Sequence, residues 1–517
     1  MPIRMVGDDN PQQRDNYPGG GRRPGGGGGG FSILAFLPML IGLFRKNPKT
    51  GIVLLIIAGA AYYFLGGNFS PGTNTASQYL STGAEFDPAL YDKTEVFEPL
   101  ADNVKNPLPE RVTLEKYCPK RLNQGEQGSC VGWGNAYAAR TILEAQRTGQ
   151  NPNQVAFSPS YLYNQISLDG CQGSYIEKAM DVMQGQGVLP LSQFPYNEQS
   201  CSNQPSSAQK QAATQFKMTG YNRLTKSGDN QEVDMLAIKQ NLAQGAPVVV
   251  GMMVGGSFMQ PMMGQEVWVP SSNDYNMMNF GGHCMCIVGY DDFKYGNEGA
   301  FQLMNSWGTE WGQNGLAWIR YKDFAYFTKE AYGVYPMGNA DKPLSNNLSV
   351  QFGLIDNATQ KNIPLRNNGG ILFNTSKPIA KGTKFKIQVT NTLECYTYLF
   401  GQETDNSSYV LFPYTPKHSP YCGITGTRLF PKDFSMQADE AGSKDFMAIV
   451  VTKKPIDYKQ LNTAISQQSG SYEEKVKKAL GNQLLQSVSF NPGENISFTL
   501  NNVKDGAVAM VIEVDKR

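Results

Sequence analysis

Three residues in the middle of the chain have the side chains that nucleophilic chemistry requires: a cysteine, a histidine and an asparagine. Cys130 follows a run of glycines and amides in NQGEQGSCVGW (Asn123–Trp133). Most cysteines are small buried side chains or disulfide partners, and this chain has eight of them. Ser129, however, is a typical helix N-cap, and the residues behind it predict a helix that ends near Gly149. The positive end of such a helix favours a thiolate, the reactive form of cysteine.

The histidine is His283, one of two in the chain, in NFGGHCMCIVGYDD at the start of an apolar strand. A histidine at a strand end is usually structural, but a neighbouring imidazole is what a thiol needs to lose its proton. A second apolar strand, in FQLMNSWGTEWGQNG, ends at Asn305 and is followed by Trp307. The other histidine, His418 in PKHSPYC, has no adjacent nucleophile, and we interpret it as a surface or turn residue.

The surrounding sequence predicts several regions. The 517 residues suffice for two or three domains, and a net charge of +1 with a pI near 7.4 argues against a nucleic-acid partner. Residues 1–30 predict a disordered Gly-rich tail, and residues 68–105, rich in Ser, Thr, Asn and Pro, predict a linker. Residues 106–336 have a mixed α/β pattern. Residues 337–517 have short strands between turn residues, which predict a β-sandwich with one helix around Tyr472–Leu485.

Residues 31–67, between the tail and the linker, contain two apolar runs. The second, GIVLLIIAGAAYYFLGG (Gly51–Gly67), is near the lower length limit for a spanning helix and lacks a polar face. Lysines and arginines precede residue 51 but are absent from residues 51–92, which predicts a cytoplasmic tail and one transmembrane helix. The predicted location is a cell inner membrane, with the catalytic domain periplasmic or extracellular. Whether the first run (31–44) spans stays open, and a cleaved signal peptide is an alternative.

The motifs around Cys130 resemble the papain family of cysteine peptidases. NQGEQGSC, GGHCMCIVGY and NSWGTEWGQNG stand in the family's order, and His283 lies 153 residues after Cys130, close to the usual separation of roughly 130–150. LPERV, GCQGS, FPYN and QGAPVVVG are further landmarks between Leu108 and about Pro336. The resemblance implies an α+β fold: a papain-like two-lobed catalytic domain, then a β-sandwich-like domain, with an N-terminal membrane anchor.

The resemblance also implies a role for each residue of the site. Cys130 would be the nucleophile, and His283 the base that later protonates the leaving amine. Asn305 would orient the imidazole, with Trp307 shielding that hydrogen bond from water. Gln124 would add its side-chain N–H to the Cys130 backbone N–H as an oxyanion hole. We expect no cofactor and no metal.

The sequence departs from the family in three respects. Val131 stands where the family usually has an aromatic residue, and Gln127 where plant and animal members carry a disulfide cysteine. The segment before the catalytic domain looks too short for the family's usual inhibitory propeptide. Because the family partner of Cys171 is missing, Cys201 is its alternative partner, although the family pattern does not support that bridge. The other cysteines are expected to form one bridge, Cys395–Cys422, and otherwise to be free: Cys118, Cys284 and Cys286.

We therefore predict a membrane-anchored bacterial cysteine endopeptidase that acts on proteins or peptides. Two alternatives stay open: a non-catalytic scaffold or binding module on the same fold, and an amidase acting on wall peptides. The C-terminal region resembles an uncharacterised bacterial accessory domain. We expect it to fold separately, to supply no catalytic group, and to bind a partner or position substrates.

Overall fold

The predicted helix behind Ser129 is present and forms the centre of the first half of the protein. The computed structural model describes residues 3–7, 80–101, 104–226, 232–338, 340 and 344–517. The first half contains the helices α1 (Pro88–Tyr91), α2 (Cys130–Gly132, π-helical Trp133–Arg140 and Thr141–Thr148), α3 (Pro159–Ile166), α4 (Ile176–Gly185), α5 (Ser207–Ala213), α6 (Met235–Ala243), α7 (Lys294–Asn297) and α8 (Tyr321–Phe327). Helix α2 ends at Gly149, whose φ of 69° is left-handed, as the sequence predicted.

An eight-stranded sheet packs against these helices. The strands up to residue 334 are β1 (Ile3–Gly7), β2 (Ala84–Glu85), β3 (Arg111–Thr113), β4 (Ser174–Tyr175), β5 (Tyr221–Arg223), β6 (Val248–Val254), β7 (Val267–Trp268), β8 (Gly281–Asp291), β9 (Ala300–Met304), β10 (Leu316–Arg320) and β11 (Thr328–Val334). The sheet order is β5-β11-β6-β8-β9-β10-β7, with β3 also paired to β8. Strands β7 and β10 run parallel, and the other pairs are antiparallel.

The interface between α2 and β8 positions the site. A Cβ atom at Gly134 of α2 would lie 2.7 Å from the Cys284 Sγ of β8, so only glycine allows this approach. Val131, Ala138 and Ile142 are all buried, but so is every other residue from Cys130 to Ala145, so this part of α2 is enclosed on all sides rather than along one face. Close packing of α2 on β8 therefore brings the first residue of the helix beside the start of the strand.

The second half is the β-sandwich expected for the C-terminal region. Its strands are β12 (Leu348–Asp356), β13 (Asn362–Ile363), β14 (Leu365–Gly369), β15 (Leu372–Thr375), β16 (Lys384–Asn391), β17 (Cys395–Gln402), β18 (Ser408–Phe412), β19 (Tyr421–Cys422), β20 (Gly426–Phe430), β21 (Phe434–Ala438), β22 (Lys444–Thr452), β23 (Ile496–Leu500) and β24 (Ala507–Asp515). One sheet has the order β21-β16-β12-β13, with β20 on β16 and β23 on β12. The other has the order β14-β15-β24-β22-β17-β18, with β19 on β17.

Apolar side chains from both sheets of the sandwich form one core. Phe352 and Ile387 of the first sheet and Ile449 and Met510 of the second belong to the same buried cluster. Two helices, α9 (Tyr458–Gln467) and α10 (Tyr472–Leu480), cover the outer face of the second sheet through a separate apolar cluster. The sequence predicted α10 only.

Two N-terminal expectations need correction. The predicted disordered tail, 1–30, includes β1, which pairs with β21 of the sandwich. The predicted linker, 68–105, includes residues 80–101, whose backbone hydrogen-bonds to both halves of the protein. We call residues 80–101 the strap. Its fold depends on partners distant in sequence, so its own composition does not indicate it.

The cysteines also differ from expectation. Cys171 and Cys201 form a disulfide, which the family pattern did not support. Cys395 and Cys422 lie opposite each other on β17 and β19 but are free, so the predicted bridge between them is wrong. The remaining predicted free cysteines are buried and free: Cys118, Cys284 and Cys286.

The predicted membrane location is contradicted. In the part of the chain that the structure describes, no helix has the length and apolar character needed to cross a bilayer. We therefore correct the prediction and assign no membrane location. The apolar runs on which it rested, 31–44 and 51–67, lie outside the described residues.

Candidate active site beneath a covering strap

The packing of α2 on β8 brings together Cys130 and His283. Cys130 is the first residue of α2, and its Sγ accepts a hydrogen bond from the backbone N–H of Cys284, at 3.4 Å. Cys284 directly follows His283 on β8, so the thiol lies beside the histidine. Both side chains have a relative exposure of 0%. Ser129 occupies the N-cap position as predicted, but its hydroxyl lies 2.7 Å from the Tyr196 hydroxyl and does not cap the helix.

Asn305 and Trp307 hold the imidazole of His283. The Asn305 Oδ1 lies 2.7 Å from the His283 Nε2. The Trp307 ring stacks on the imidazole, with 4.3 Å between ring centroids and 23° between planes. The other ring nitrogen, Nδ1, has no hydrogen-bond partner among the described residues. The arrangement leaves Nδ1 free to accept a proton.

Gln124 is buried next to the same strand end. Its backbone N–H donates to the Ser306 carbonyl at 2.8 Å, and its side-chain Oε1 accepts from the Ser306 hydroxyl at 2.6 Å. These bonds direct Nε2 away from Ser306, and Nε2 donates to the Gln127 carbonyl at 3.0 Å. The Tyr196 hydroxyl donates to the Gln124 carbonyl at 2.7 Å. Ser306 and Tyr196 are positioning residues that the sequence analysis did not identify, although both lie within motifs it quoted.

The strap crosses this site and covers it. The Ser81 hydroxyl donates to the Glu126 carbonyl at 2.7 Å, and the Ser81 carbonyl accepts from the Trp307 indole N–H at 2.8 Å. Two residues further on, the Gly83 N–H donates to the Gly282 carbonyl at 3.0 Å. Because Glu126 precedes Cys130 and Gly282 precedes His283, the strap joins the two walls between which the site lies.

Backbone contacts fix the strap at the site. Its strand β2 pairs in parallel with β4, and the Ser174 N–H donates to the Gly83 carbonyl at 2.9 Å. A Cβ at Gly83 would lie 2.2 Å from the Gly128 carbonyl oxygen, and a Cβ at Gly282 would lie 1.9 Å from the Ala84 carbonyl oxygen. Glycine is required at both positions because backbone approaches backbone. No motif in the sequence marks this segment.

Burial shifts the pKa values of the two central side chains. It raises the pKa of the Cys130 thiol to about 12, although the Cys284 N–H bond acts in the opposite direction. It lowers the pKa of His283 to about 4, against the smaller effect of Asn305. Both shifts favour the neutral thiol and the neutral imidazole, and burial is the largest cause of each.

Comparison with known proteins identifies the family of the first half of the protein. Residues 109–336 match the family described as papain family cysteine protease. These residues are a papain-family cysteine protease domain. Residues 379–455 of the C-terminal region match a domain of unknown function, DUF4384.

Several papain-family relatives cover part of the chain. An uncharacterized peptidase C1-like protein of Acanthamoeba polyphaga mimivirus is 29% identical over 209 residues, which are 39% of this chain and 64% of that protein. Cathepsin K of Mus musculus is 27% identical over 214 residues, 41% of this chain and 59% of that protein. The chain thus spans less than two thirds of either relative. The solved structure of xylellain, a cysteine protease from Xylella fastidiosa, is 23% identical, with a TM-score of 0.39 over 51% of this chain and 98% of that one.

Proposed function

We propose that the chain is a cysteine endopeptidase with the catalytic residues Cys130, His283, Asn305 and Gln124, and that the strap keeps it latent. The observation that carries the proposal is the hydrogen bond from His283 Nε2 to Asn305 Oδ1. It leaves the His283 Nδ1 without a hydrogen-bond partner among the described residues. The next residue, Cys284, donates its backbone N–H to the Cys130 Sγ. We further propose residues 106–336 as the catalytic domain and residues 337–517 as the accessory domain. Proteins or peptides are the proposed substrates.

Peptide hydrolysis would proceed in two steps, the formation of a thioester on Cys130 and its hydrolysis. With the strap displaced, the Cys130 thiol transfers its proton to His283 Nδ1, and the thiolate attacks the carbonyl carbon of the scissile bond. The imidazolium returns that proton to the leaving amine as the C–N bond breaks, which leaves a thioester on Cys130. A water molecule, deprotonated by His283, then hydrolyses the thioester and releases the acid product and the free thiol.

Gln124 would stabilise the oxyanion that forms in each step. Its Nε2 carries two hydrogens, of which one is donated to the Gln127 carbonyl. The second hydrogen is the proposed donor, together with the Cys130 backbone N–H. The Ser306 hydroxyl, which donates to Oε1, supports this orientation of the amide.

The strap would prevent both steps. It removes water from the site, which favours the neutral thiol, and its backbone runs between the two walls that a substrate would need to enter. Gly83→Val should displace it, because the added side chain would meet the Gly128 backbone. Catalysis therefore requires that the strap leave the cleft.

Peptide hydrolysis by three variants tests the proposal. Gly83→Val should hydrolyse a mixed peptide library much faster than the parent, and Gly83→Val with Cys130→Ala should be inert. Gly185→Val is the control, because a side chain at that position has open space around it. If Gly83→Val exposes Cys130 to alkylation but hydrolyses no peptide, a non-catalytic scaffold explains the fold better. Hydrolysis confined to wall-peptide amides would favour the amidase alternative.

A further inference from the structure

Beyond the cleft, the strap is held between the protease domain and the C-terminal domain. Residues 80–86 contact the cleft, helix α1 follows, and residues 92–101 continue between the two halves of the protein. The second half of the strap contacts one set of C-terminal residues, which we call the strap-binding face: Tyr414, Lys417, Ser419, Thr427 and Arg428.

The centre of this second half is a short backbone ladder between the two domains. The Val96 N–H donates to the Lys417 carbonyl at 2.6 Å, and the Val96 carbonyl accepts from the Ser419 N–H at 2.9 Å. The next residue bonds to the protease domain instead: the Phe97 N–H donates to the Arg223 carbonyl of β5 at 3.1 Å. Alternate residues of the strap thus bond to opposite domains, as in a strand inserted between two sheets.

Asp92 of the strap forms ion pairs with both the protease domain and the C-terminal domain. Its Oδ1 pairs with the Arg223 guanidinium of the protease domain at 3.2 Å. Its Oδ2 pairs with the ammonium of Lys417 on the strap-binding face. The side chain of Lys417 is 51% exposed, so its ion pair stabilises the junction only modestly.

The contacts of Glu98 are buried on the C-terminal side. Its carboxyl accepts a hydrogen bond from the Tyr414 hydroxyl at 3.2 Å, and its backbone carbonyl accepts from the Arg428 Nε at 3.0 Å. Arg428 is itself buried and donates to Asn391 within the sandwich at 2.8 Å. The strap therefore completes the hydrogen bonding of a buried guanidinium that the C-terminal domain holds in place.

The end of the strap is fixed by Thr427. The Ala101 N–H donates to the Thr427 carbonyl at 2.8 Å. Five residues later, the Asn106 side chain accepts from the Thr427 N–H at 2.7 Å and donates to its carbonyl at 2.9 Å. The protease domain contributes here through Gln240, whose Oε1 accepts from the Leu100 N–H at 3.0 Å.

We propose that the strap-binding face is a binding site for an extended segment of this same chain, and that its occupation keeps the strap in the cleft. This inference rests on the proposed function and assigns its regulation to the C-terminal domain. The hydrogen bonds in the cleft involve few strap residues and are made largely by backbone groups, while Leu80, Ala84 and Phe86 pack against the protease core. The strap-binding face binds particular side chains, among them Asp92 and Glu98, and so fixes the position from which the strap enters the cleft. Loss of these contacts shifts the strap toward states in which the cleft is open.

Three substitutions in the full-length protein weaken the binding without touching the catalytic residues. Asn106→Ala, just beyond the strap, removes two bonds to Thr427 and one to the Ala101 carbonyl at the end of the strap. Lys417→Met removes the ion pair to Asp92, and Tyr414→Phe removes the hydrogen bond to Glu98. Each has a matched control whose partner lies within the C-terminal domain: Asn462→Ala (partner Ser408), Lys454→Met (partner Asp505) and Tyr472→Phe (partner Ser408).

Two measurements report on the strap independently of peptide hydrolysis. One is amide hydrogen exchange at Gly83, which donates to Gly282 in the cleft. The other is the alkylation rate of Cys130 by a small thiol-directed epoxide. We expect Asn106→Ala to accelerate both by about three- to tenfold, since it removes three hydrogen bonds at the end of the strap. Lys417→Met should give a smaller acceleration, and the three controls should match the parent.

The outcomes separate this inference from the proposed function. Equal rates in the three test variants, their controls and the parent would overturn the assigned role of the strap-binding face. If Gly83→Val still opened the cleft and hydrolysed peptides in that case, the proposed function would stand alone. If the test variants accelerate exchange at Gly83 while no variant hydrolyses peptides, the strap-binding role is supported and the proposed function fails. Thermal unfolding of each variant identifies global destabilisation, and Lys417→Met, at an exposed position, keeps the test valid if Tyr414→Phe fails to fold.

Discussion

The cleft and the strap-binding face hold two parts of one segment by different means. In the cleft, the hydrogen bonds of the strap are made mainly by backbone groups, and its apolar side chains pack against the protease core. A glycine stands on each side: Gly83 against the Gly128 backbone, and Gly282 against the Ala84 carbonyl. On the strap-binding face, the strap is held also by side chains, including the ion pair of Asp92 with Lys417 and the bond from Tyr414 to Glu98.

The difference indicates two kinds of recognition. A surface that binds backbone groups accepts many sequences, as a protease cleft must. A surface that pairs buried or charged side chains accepts few. The two surfaces together explain how a cleft suited to varied peptides can be occupied by one particular segment.

The largest effect is expected at the thiol. In the strap-displaced Gly83→Val protein, Cys130→Ala should reduce peptide hydrolysis by about 10⁴-fold or more, because removing a nucleophile removes the covalent route. Initial rates on a peptide library measure this, with thermal unfolding as the control for folding. Hydrolysis that persists at the Gly83→Val rate would place the chemistry elsewhere.

The pH dependence of alkylation should separate the covered from the open cleft. Because burial raises the pKa of Cys130 to about 12, the covered thiol is neutral near pH 7, and its rate should rise with pH without a plateau below about pH 11. In Gly83→Val, where water reaches the thiol, the pKa should fall and the plateau should begin at lower pH. Identical profiles for the two proteins would contradict the role given to burial.

Gln124 should contribute through the transition state. Gln124→Ala in the Gly83→Val protein should lower kcat by about 10²–10³-fold with little change in KM, as for other lost oxyanion donors. Ser306→Ala is a matched comparison, because it removes only the bond that orients the Gln124 amide, and its effect should be smaller. An unchanged kcat for Gln124→Ala would exclude it from the oxyanion hole.

The smallest effect sharpens the contrast between the two surfaces. Glu85 lies in the cleft half of the strap with an exposed side chain, so Glu85→Ala should change the exchange rate of the Gly83 amide by less than about twofold. Amide exchange is the readout here because the Glu85 charge itself raises the pKa of Cys130 and so affects alkylation. Asp92→Asn, in the other half, weakens two ion pairs and should accelerate that exchange by more. If Glu85→Ala has the larger effect, the cleft recognises side chains after all.

The sequence predicted the parts of the site that local signals determine. The end of α2 at Gly149 follows from a glycine with positive φ, whereas the Ser129 hydroxyl, expected to cap the start at Cys130, lies against the Tyr196 hydroxyl instead. The pairing of His283 with Asn305 followed from the motifs of a family, which combine residues from separate strands. The sandwich followed from alternating short strands. The end of the helix and the short strands are encoded within short stretches of sequence, whereas the pairing of His283 with Asn305 was predicted only through the family resemblance.

The strap could not be predicted in the same way. The stretch STGAEFDPALYDKTEVFEPL has the composition of a linker, and its conformation depends on partners such as Trp307 and Lys417, more than 220 residues away. The burial that raises the pKa of Cys130 is a property of the whole fold, so the sequence did not predict it either. The cross-strand position of Cys395 and Cys422 explains why they were expected to pair, whereas their oxidation state is not determined by spacing.

The alkylation rate of Cys130 tests the central claim, that the strap covers a competent thiol, most directly. A small thiol-directed epoxide is applied at neutral pH to the parent, to Gly83→Val and to the control Gly185→Val, and the modified residue is identified by peptide mapping. We predict slow labelling of the parent and of Gly185→Val, and labelling of Gly83→Val at least about tenfold faster, because thiolate reactivity follows access and pKa. Equal labelling of all three proteins would contradict the account.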